Sequence, residues 1–225
     1  KPWLKKMWFI PKITPEFRKL MYNLLDLYAE SYDSTKPLIG IDEKPKQLLG
    51  EKRMSLPMKQ GRIEKYDYEY IRNGSANIFM AVEPKGGKRF TQITRQRTKK
   101  DFALFVRELI DKKYPKQQKI RIVVDNLNTH NSSSFYETFN KKEAQRILKK
   151  IEFHYTPKHA SWLNVAEIEI GIMDGQCTNR RIKNIEKLKD EVGTWMRDRN
   201  KKKIKINWKF TKNDADKKLK KYYVT

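Results

Sequence analysis

The run Lys119-Ile120-Arg121-Ile122-Val123-Val124-Asp125 decides the fold. Three consecutive apolar residues, two of them Val and one Ile, read as a strand covered on both faces. A strand buried on both sides needs helices packed above and below it. Helices do flank it in the pattern. Upstream, Thr98 to Lys113 is amphipathic, with Phe102, Phe105, Val106, Leu109 and Ile110 on one face and Pro115 just beyond. Downstream, a helix from about Lys142 to Lys149 and a strand from about Ile151 to Tyr155 follow.

Further out, Pro157 breaks the chain and Ser161 opens an apolar helix through about Met173. Ile185, Leu188, Val192, Trp195 and Met196 mark another helix. Towards the N-terminus, Ala76 to Val82 and Arg89 to Thr94 read as strands joined by the turn Pro84-Lys85-Gly86-Gly87. Pro37-Leu38-Ile39-Gly40-Ile41 reads as a buried strand ending on Asp42. Thr14-Pro15-Glu16 is a helix start, followed by Phe17, Leu20, Met21, Leu24, Leu25 and Tyr28 on one buried face. Ile204 to Phe210 alternates like a strand, and a short basic helix closes the chain. The expected class is α/β, a mixed sheet flanked by helices.

The chain has 225 residues, enough for one large domain with a proper core. Its formal net charge is +24, which works against compaction and needs a reason. The usual reason is a polyanion whose phosphates are neutralised by Lys and Arg. A lysine-rich coding bias is the bland alternative, since Lys far outnumbers Arg. The excess is uneven, however: Met196 to Thr225 holds 12 basic and 3 acidic residues. No long apolar run offers a membrane span. One cysteine, Cys177, excludes an intrachain disulfide framework and a Cys-based zinc site. Without a signal-peptide core at Lys1-Pro2-Trp3, an intracellular domain is expected. Residues 1–13 read as a linker, with a missing domain before it and the main domain over 14–225.

Three acids stand out by position. Asp42 and Asp125 end apolar strands, where a carboxylate is unexpected unless it caps, pairs or holds a cation. Glu167 lies inside the apolar helix, and Glu169 two residues on points about 200° away. Only one of the two can face a given site; the other is left to solvent or a salt bridge. Glu43 should leave its strand on the face opposite Asp42 and is not counted as a ligand. Converging carboxylates repel unless cations sit between them, and such a cluster can hold two hard metal ions about 4 Å apart.

Three blocks carry a resemblance: Ile41-Asp42-Glu43-Lys44-Pro45-Lys46-Gln47-Leu48-Leu49-Gly50, Val124-Asp125-Asn126-Leu127-Asn128-Thr129-His130, and Tyr155-Thr156-Pro157-Lys158-His159-Ala160-Ser161-Trp162-Leu163-Asn164-Val165-Ala166-Glu167-Ile168-Glu169. In this order they resemble the catalytic blocks of bacterial IS six-thirty transposases, members of the mariner superfamily of DDE transposases. The likeness continues through Tyr66-Asp67-Tyr68-Glu69-Tyr70, Arg72-Asn73-Gly74, Arg180-Arg181-Ile182 and Trp208-Lys209-Phe210-Thr211. It implies a ribonuclease-H-like fold like the retroviral integrase core, with Asp42, Asp125 and Glu167 as catalytic, metal-binding triad. The Asn-x-x-Glu spacing from Asn164 selects Glu167 over Glu169. The 41 residues between Asp125 and Glu167 exceed the superfamily's usual gap, with room for the surplus in Ser132 to Lys149.

The resemblance further implies two Mg²⁺ or Mn²⁺ ions, cleavage at transposon ends and joining of the 3′-hydroxyl to target DNA. A homodimer on paired inverted repeats, TA as target, an upstream helix-turn-helix region and a bacterial, nucleoid-associated location belong to the same picture. Neither a membrane nor a small-molecule substrate does. Asn126, His130, Lys158, His159 and Asn164 are the candidates for DNA contact; Asn126 and His130 could equally orient Asp125 or cap the loop. His154, inside a strand, reads as a structural histidine, and Cys177 as inert packing. Trp3, Trp8 and Trp208 read as core anchors. A non-catalytic DNA-binding module and a simple nuclease are the competing readings.

Overall fold

The structure is a computed structural model and describes residues 12–224. Five strands form one mixed sheet in the order β3-β2-β1-β4-β5. β1 (Leu38–Glu51) pairs antiparallel with β2 (Tyr70–Glu83), which pairs antiparallel with β3 (Lys88–Thr94). On its other edge β1 runs parallel to β4 (Ile120–Val124), and β4 runs parallel to β5 (Ile151–Tyr155). The expected hairpin over Pro84 to Gly87 joins β2 and β3, with Gly87 at φ +68°.

Register places the acids. In the parallel pair, Leu38 lies opposite Arg121 and Gly40 opposite Val123. Asp42 and Asp125 each follow two residues later in the same direction. They therefore emerge side by side, on one face, where the ladder between β1 and β4 stops.

Helices cover both faces. On one side α2 (Lys99–Glu108, prolonged by a π-helical turn over Leu109–Lys113), α3 (Ser133–Thr138) and α4 (Lys141–Lys149) complete the layer. There Phe102, Val106, Phe135 and Ile147 pack on Ile39, Ile41, Phe79, Ile122 and Val124. On the other side α5 (Val165–Met173) and α6 (Ile185–Lys201) bring Ala166, Met173, Leu188 and Val192 against Ile78, Met80 and Val82. Cys177 is buried in this second cluster. A third cluster joins α1 (Pro15–Ala29) and α7 (Lys212–Leu219) to Val123, Leu163 and Val165. The helix starts follow their capping signals: Thr14 accepts from the Phe17 N–H at 3.2 Å, and Thr98 forms a reciprocal capping box with Asp101.

Five local expectations are corrected. The first strand does not end on Asp42: β1 continues to Glu51 because β2 pairs with it along that whole length, and only the ladder to β4 stops before Asp42. Leu20 faces solvent, because the buried stripe of α1 runs through Met21, Leu24, Leu25, Leu27 and Tyr28 instead. Ser161–Leu163 is a separate 3₁₀ turn, and the apolar helix begins only after Asn164. α3 was not expected. Ile204 to Phe210 forms no sheet ladder; it is an extended strap whose Ile206, Trp208 and Phe210 pack on the third cluster. Trp208 stacks on Tyr28 with ring centroids 4.6 Å apart, an anchor as expected. Trp3, Trp8 and nearly all of the 1–13 linker lie outside the described residues.

Between β1 and β2, residues 52–69 form a projecting arm. Its strand-like contacts are the bridges Leu56 to Lys65 and Lys59 to Arg62, turning at Gly61 with φ +73°. Met54, Met58, Ile63, Tyr66 and Tyr68 are exposed along it, Met54 to 94%. No described helix is long and apolar enough to cross a membrane.

Candidate active site

Asp42 on β1, Asp125 just past β4 and Glu167 in the first turn of α5 are all half-buried. Burial pushes the Asp42 carboxyl up to about 7. The Glu43 backbone N–H, 2.8 Å from Asp42 Oδ1, opposes that shift, while the negative charges of Glu43, Asp125 and Glu167 add to it. Each of these carboxylates is thus near enough to act on Asp42.

The approach of α5 depends on one glycine. A Cβ on Gly40 would lie 2.6 Å from Val165 Cγ1 and 2.9 Å from Asn164 Oδ1, so a side chain there would push the helix away. Asn164, fully buried, then locks the contact. Its Nδ2 donates to the Ile41 carbonyl at 2.8 Å, and its Oδ1 accepts from the Ala166 N–H at 3.1 Å, capping α5. Tyr28 donates its hydroxyl proton to the Leu163 carbonyl at 2.8 Å. Glu167 therefore sits on a helix end held to the strand that carries Asp42.

Behind the acids lies a second carboxylate system. His130 is buried between Asp125 and Glu43: Nδ1 is 2.6 Å from Asp125 Oδ1, and Nε2 is 2.7 Å from Glu43 Oε1. Burial alone would lower the His130 pKa, but the two carboxylate contacts outweigh it and raise it to about 9. Glu169 is also buried, on the far side of α5 from Glu167, between Arg89 of β3 and Arg199 of α6. The closest contacts are 2.9 Å to Arg89 and 2.7 Å to Arg199. The either-or drawn for Glu167 and Glu169 thus resolves, with Glu169 as the salt-bridged member.

Residues 37–189 match the family model described as DDE superfamily endonuclease. The chain belongs to that family. The chain also matches solved structures of the Mos1 mariner transposase. Against a paired-end complex with Mn it aligns with a TM-score of 0.56 and 13% identity over 89% of this chain and 62% of that one. Against the Mos1 catalytic domain with raltegravir and Mg the values are 0.51 and 11%, over 88% and 96%. At such identities the likeness is one of fold: a mixed five-stranded sheet flanked by helices, as in the ribonuclease-H-like catalytic domain. The chain spans under two thirds of the Mos1 chain in that paired-end complex. No curated protein matches it.

The DNA-contact candidates separate by exposure. Lys158 and His159 are exposed on the connection from β5 to α5, with His159 at φ 60°. Asn126 is exposed as well, and donates from Nδ2 to the Thr156 carbonyl at 2.6 Å. His130 and Asn164 are corrected: both side chains are fully buried and committed to internal hydrogen bonds, leaving no surface for DNA. His154 is half-buried, with Nδ1 3.1 Å from Asn23 Oδ1 in keeping with a structural role.

Among the described residues no three His, Cys, Asp or Glu side chains close on one point as a ready ligand cage. The donor set nevertheless fits a hard divalent cation. It is all carboxylate, and Mg²⁺ is commonly held by one or two carboxylates with water and substrate phosphate completing its shell. A positive charge among Asp42, Asp125 and Glu167 would also relieve the repulsion that helps raise Asp42.

Proposed function

We propose that this chain is the catalytic core of a transposase of the IS six-thirty type, which cuts DNA at transposon ends and joins the freed 3′-hydroxyl to target DNA. The observation that carries the reading is the parallel register that sets Asp42 beside Asp125, with the charges of Asp125 and Glu167 both bearing on the half-buried Asp42, in a chain of net charge +24. A cluster of like charges in a basic protein is costly unless cations and phosphates are meant to meet there. Mg²⁺ or Mn²⁺, when bound, would activate the attacking oxygen and neutralise charge on the phosphate. Asp42, Asp125 and Glu167 would hold two such ions.

The chain's own part is positioning. Asn164 and Gly40 keep Glu167 against β1, and β4 keeps Asp125 beside Asp42. Lys158, His159 and Asn126, all exposed, would meet the phosphate backbone. A further open groove at the arm's base is lined by Lys46, Tyr66, Tyr70, Arg180 and Arg181, a basic and aromatic surface suited to DNA. In this reading residues 14–225 form the catalytic domain, and an upstream helix-turn-helix region recognises the inverted repeats. A homodimer is supported by the exposed apolar side chains of the arm. TA targets and a site of action at the bacterial nucleoid complete the proposal.

Cleavage and joining of supercoiled and pre-nicked DNA, with Mn²⁺, Mg²⁺ or EDTA, test it. We expect metal-dependent products that fall about 10²–10³-fold in Glu167→Gln and Asp125→Asn, the scale of losing one principal electrostatic group. Joined strands mark a transposase core; cleavage without joining marks a nuclease. Without products, and without Mn²⁺-induced thermal stabilisation that Asp125→Asn removes, the non-catalytic DNA-binding module is the better account.

A further inference from the structure

Asp125 spends one oxygen on the protein. Its Oδ1 takes the His130 ring at 2.6 Å and the Leu127 N–H at 3.2 Å. Its Oδ2 has no hydrogen-bond donor among the described residues, and the side chain keeps 27% exposure. His130 has no freedom of its own. It is fully buried, its ring centroid lies 4.6 Å from that of Phe102, and its other nitrogen is tied to Glu43. The Glu43 side chain is 2% exposed, and its Oε2 is buried without a hydrogen-bond partner. A buried carboxylate left half unsatisfied costs stability, and the contact it does make is the one to His130.

The chain Glu43, His130, Asp125 also crosses the sheet. Glu43 leaves β1 on the α2 face, the side of Ile39 and Ile41, while Asp42 leaves on the α5 face. Adjacent residues of one strand thereby serve the same site from opposite sides: Asp42 directly, Glu43 through a histidine beyond the end of β4.

We propose that His130, anchored by Glu43, is a positioning residue that fixes the rotamer of Asp125 and leaves Oδ2 as the oxygen offered to the cation. This rests on the reading of Asp125 as a cation ligand. Outer partners that orient metal ligands typically change metal affinity about 10–100-fold when removed. His130→Leu severs both contacts. His130→Asn keeps a donor near the position of Nδ1 but loses the tie to Glu43.

Mn²⁺ affinity of the full chain, measured calorimetrically, is expected to fall at least about 10-fold in His130→Leu and by a smaller factor in His130→Asn. A crystal structure of His130→Leu should find the Asp125 side chain in a different rotamer. Equal Mn²⁺ affinity, or an unmoved Asp125 rotamer, in a folded His130→Leu overturns the proposal. If His130→Leu does not fold, His130→Asn and Glu43→Gln carry the test, and wild-type affinity in both overturns it. Asp125→Asn separates the two readings. Were it to bind Mn²⁺ as the wild type does, the metal assignment itself would fail, while the rotamer would still decide what His130 does.

Discussion

Asn164 serves two backbones with one amide, accepting from Ala166 and donating to Ile41. Asn164→Ala should destabilise the fold by about 1–3 kcal/mol, through the lost cap and an unpaired buried carbonyl. Asn164→Asp is the sharper variant. It retains the capping oxygen but turns an acceptor towards the Ile41 carbonyl, so it should be no more stable than Ala in urea unfolding. If Asp restores wild-type stability, the bond to Ile41 contributes nothing. The Asn-x-x-Glu spacing was legible in the sequence, whereas the second bond, to a residue 123 positions away, was not. The same holds for His130: its closeness to Asp125 is five residues of loop, but its tie to Glu43 spans 87. Strand alternation could say that Glu43 turns away from Asp42; only the packed fold says what it meets there.

Among the elements, α5 is fixed from behind by Glu169, whose two arginines come from β3 and α6. Burial alone would raise the Glu169 pKa, but hydrogen bonds and charge from Arg89 and Arg199 prevail and hold it below the ordinary 4.5. Its folded pKa is therefore depressed, so its contribution is fully present above about pH 4.5 and is lost as pH falls through the lower, folded value. Glu169→Gln should cost about 3–5 kcal/mol at pH 7, because two buried arginines lose their counter-charge. Denaturation of wild type and variant from pH 7 to pH 3 should show that difference shrinking below pH 4.5; a constant difference would mean the pairing is not electrostatic. The strap from Ile204 to Phe210 teaches the converse about patterns. Its residues do alternate between half-buried and exposed, yet among the described residues its one backbone-to-backbone bond to the sheet region runs from the Ile206 N–H to the Pro84 carbonyl at 3.0 Å. Period-two burial reports an extended chain lying on a core, and pairing with a neighbour is a separate condition.

At the scale of the molecule, the net charge of +24 already pointed to a polyanion, and the β-branched run of β4 already pointed to a sheet covered on both faces. The arm was illegible, since residues 52–69 have neither a sustained period nor a buried face to announce them. Its exposed side chains add little to the monomer. Replacing residues 54–66 by a short Asn-Gly turn should change stability by about 0.5 kcal/mol, or about 1–2 °C in the melting midpoint. Sedimentation should find the wild type self-associated and the shortened chain monomeric. Self-association that survives the deletion would place the homodimer contact elsewhere.

β1 joins two regions that tolerate change very differently. From Asp42 to Gln47 its register with β2 is continuous, and the one irregularity falls between Gln47 and Leu49. Inserting or deleting a single residue between those points inverts the pleat beyond it, so that the rest of β1 either turns its buried residues to the wrong face or slips against β2 and pulls on Asp42. The same event within residues 52–69 merely lengthens or shortens a solvent-exposed loop, at an entropic cost that grows only logarithmically. Indels should therefore accumulate in the arm and be purged from the six residues beginning at Asp42, so that a stretch strict in length and a stretch free to vary lie within a few residues of each other along the chain.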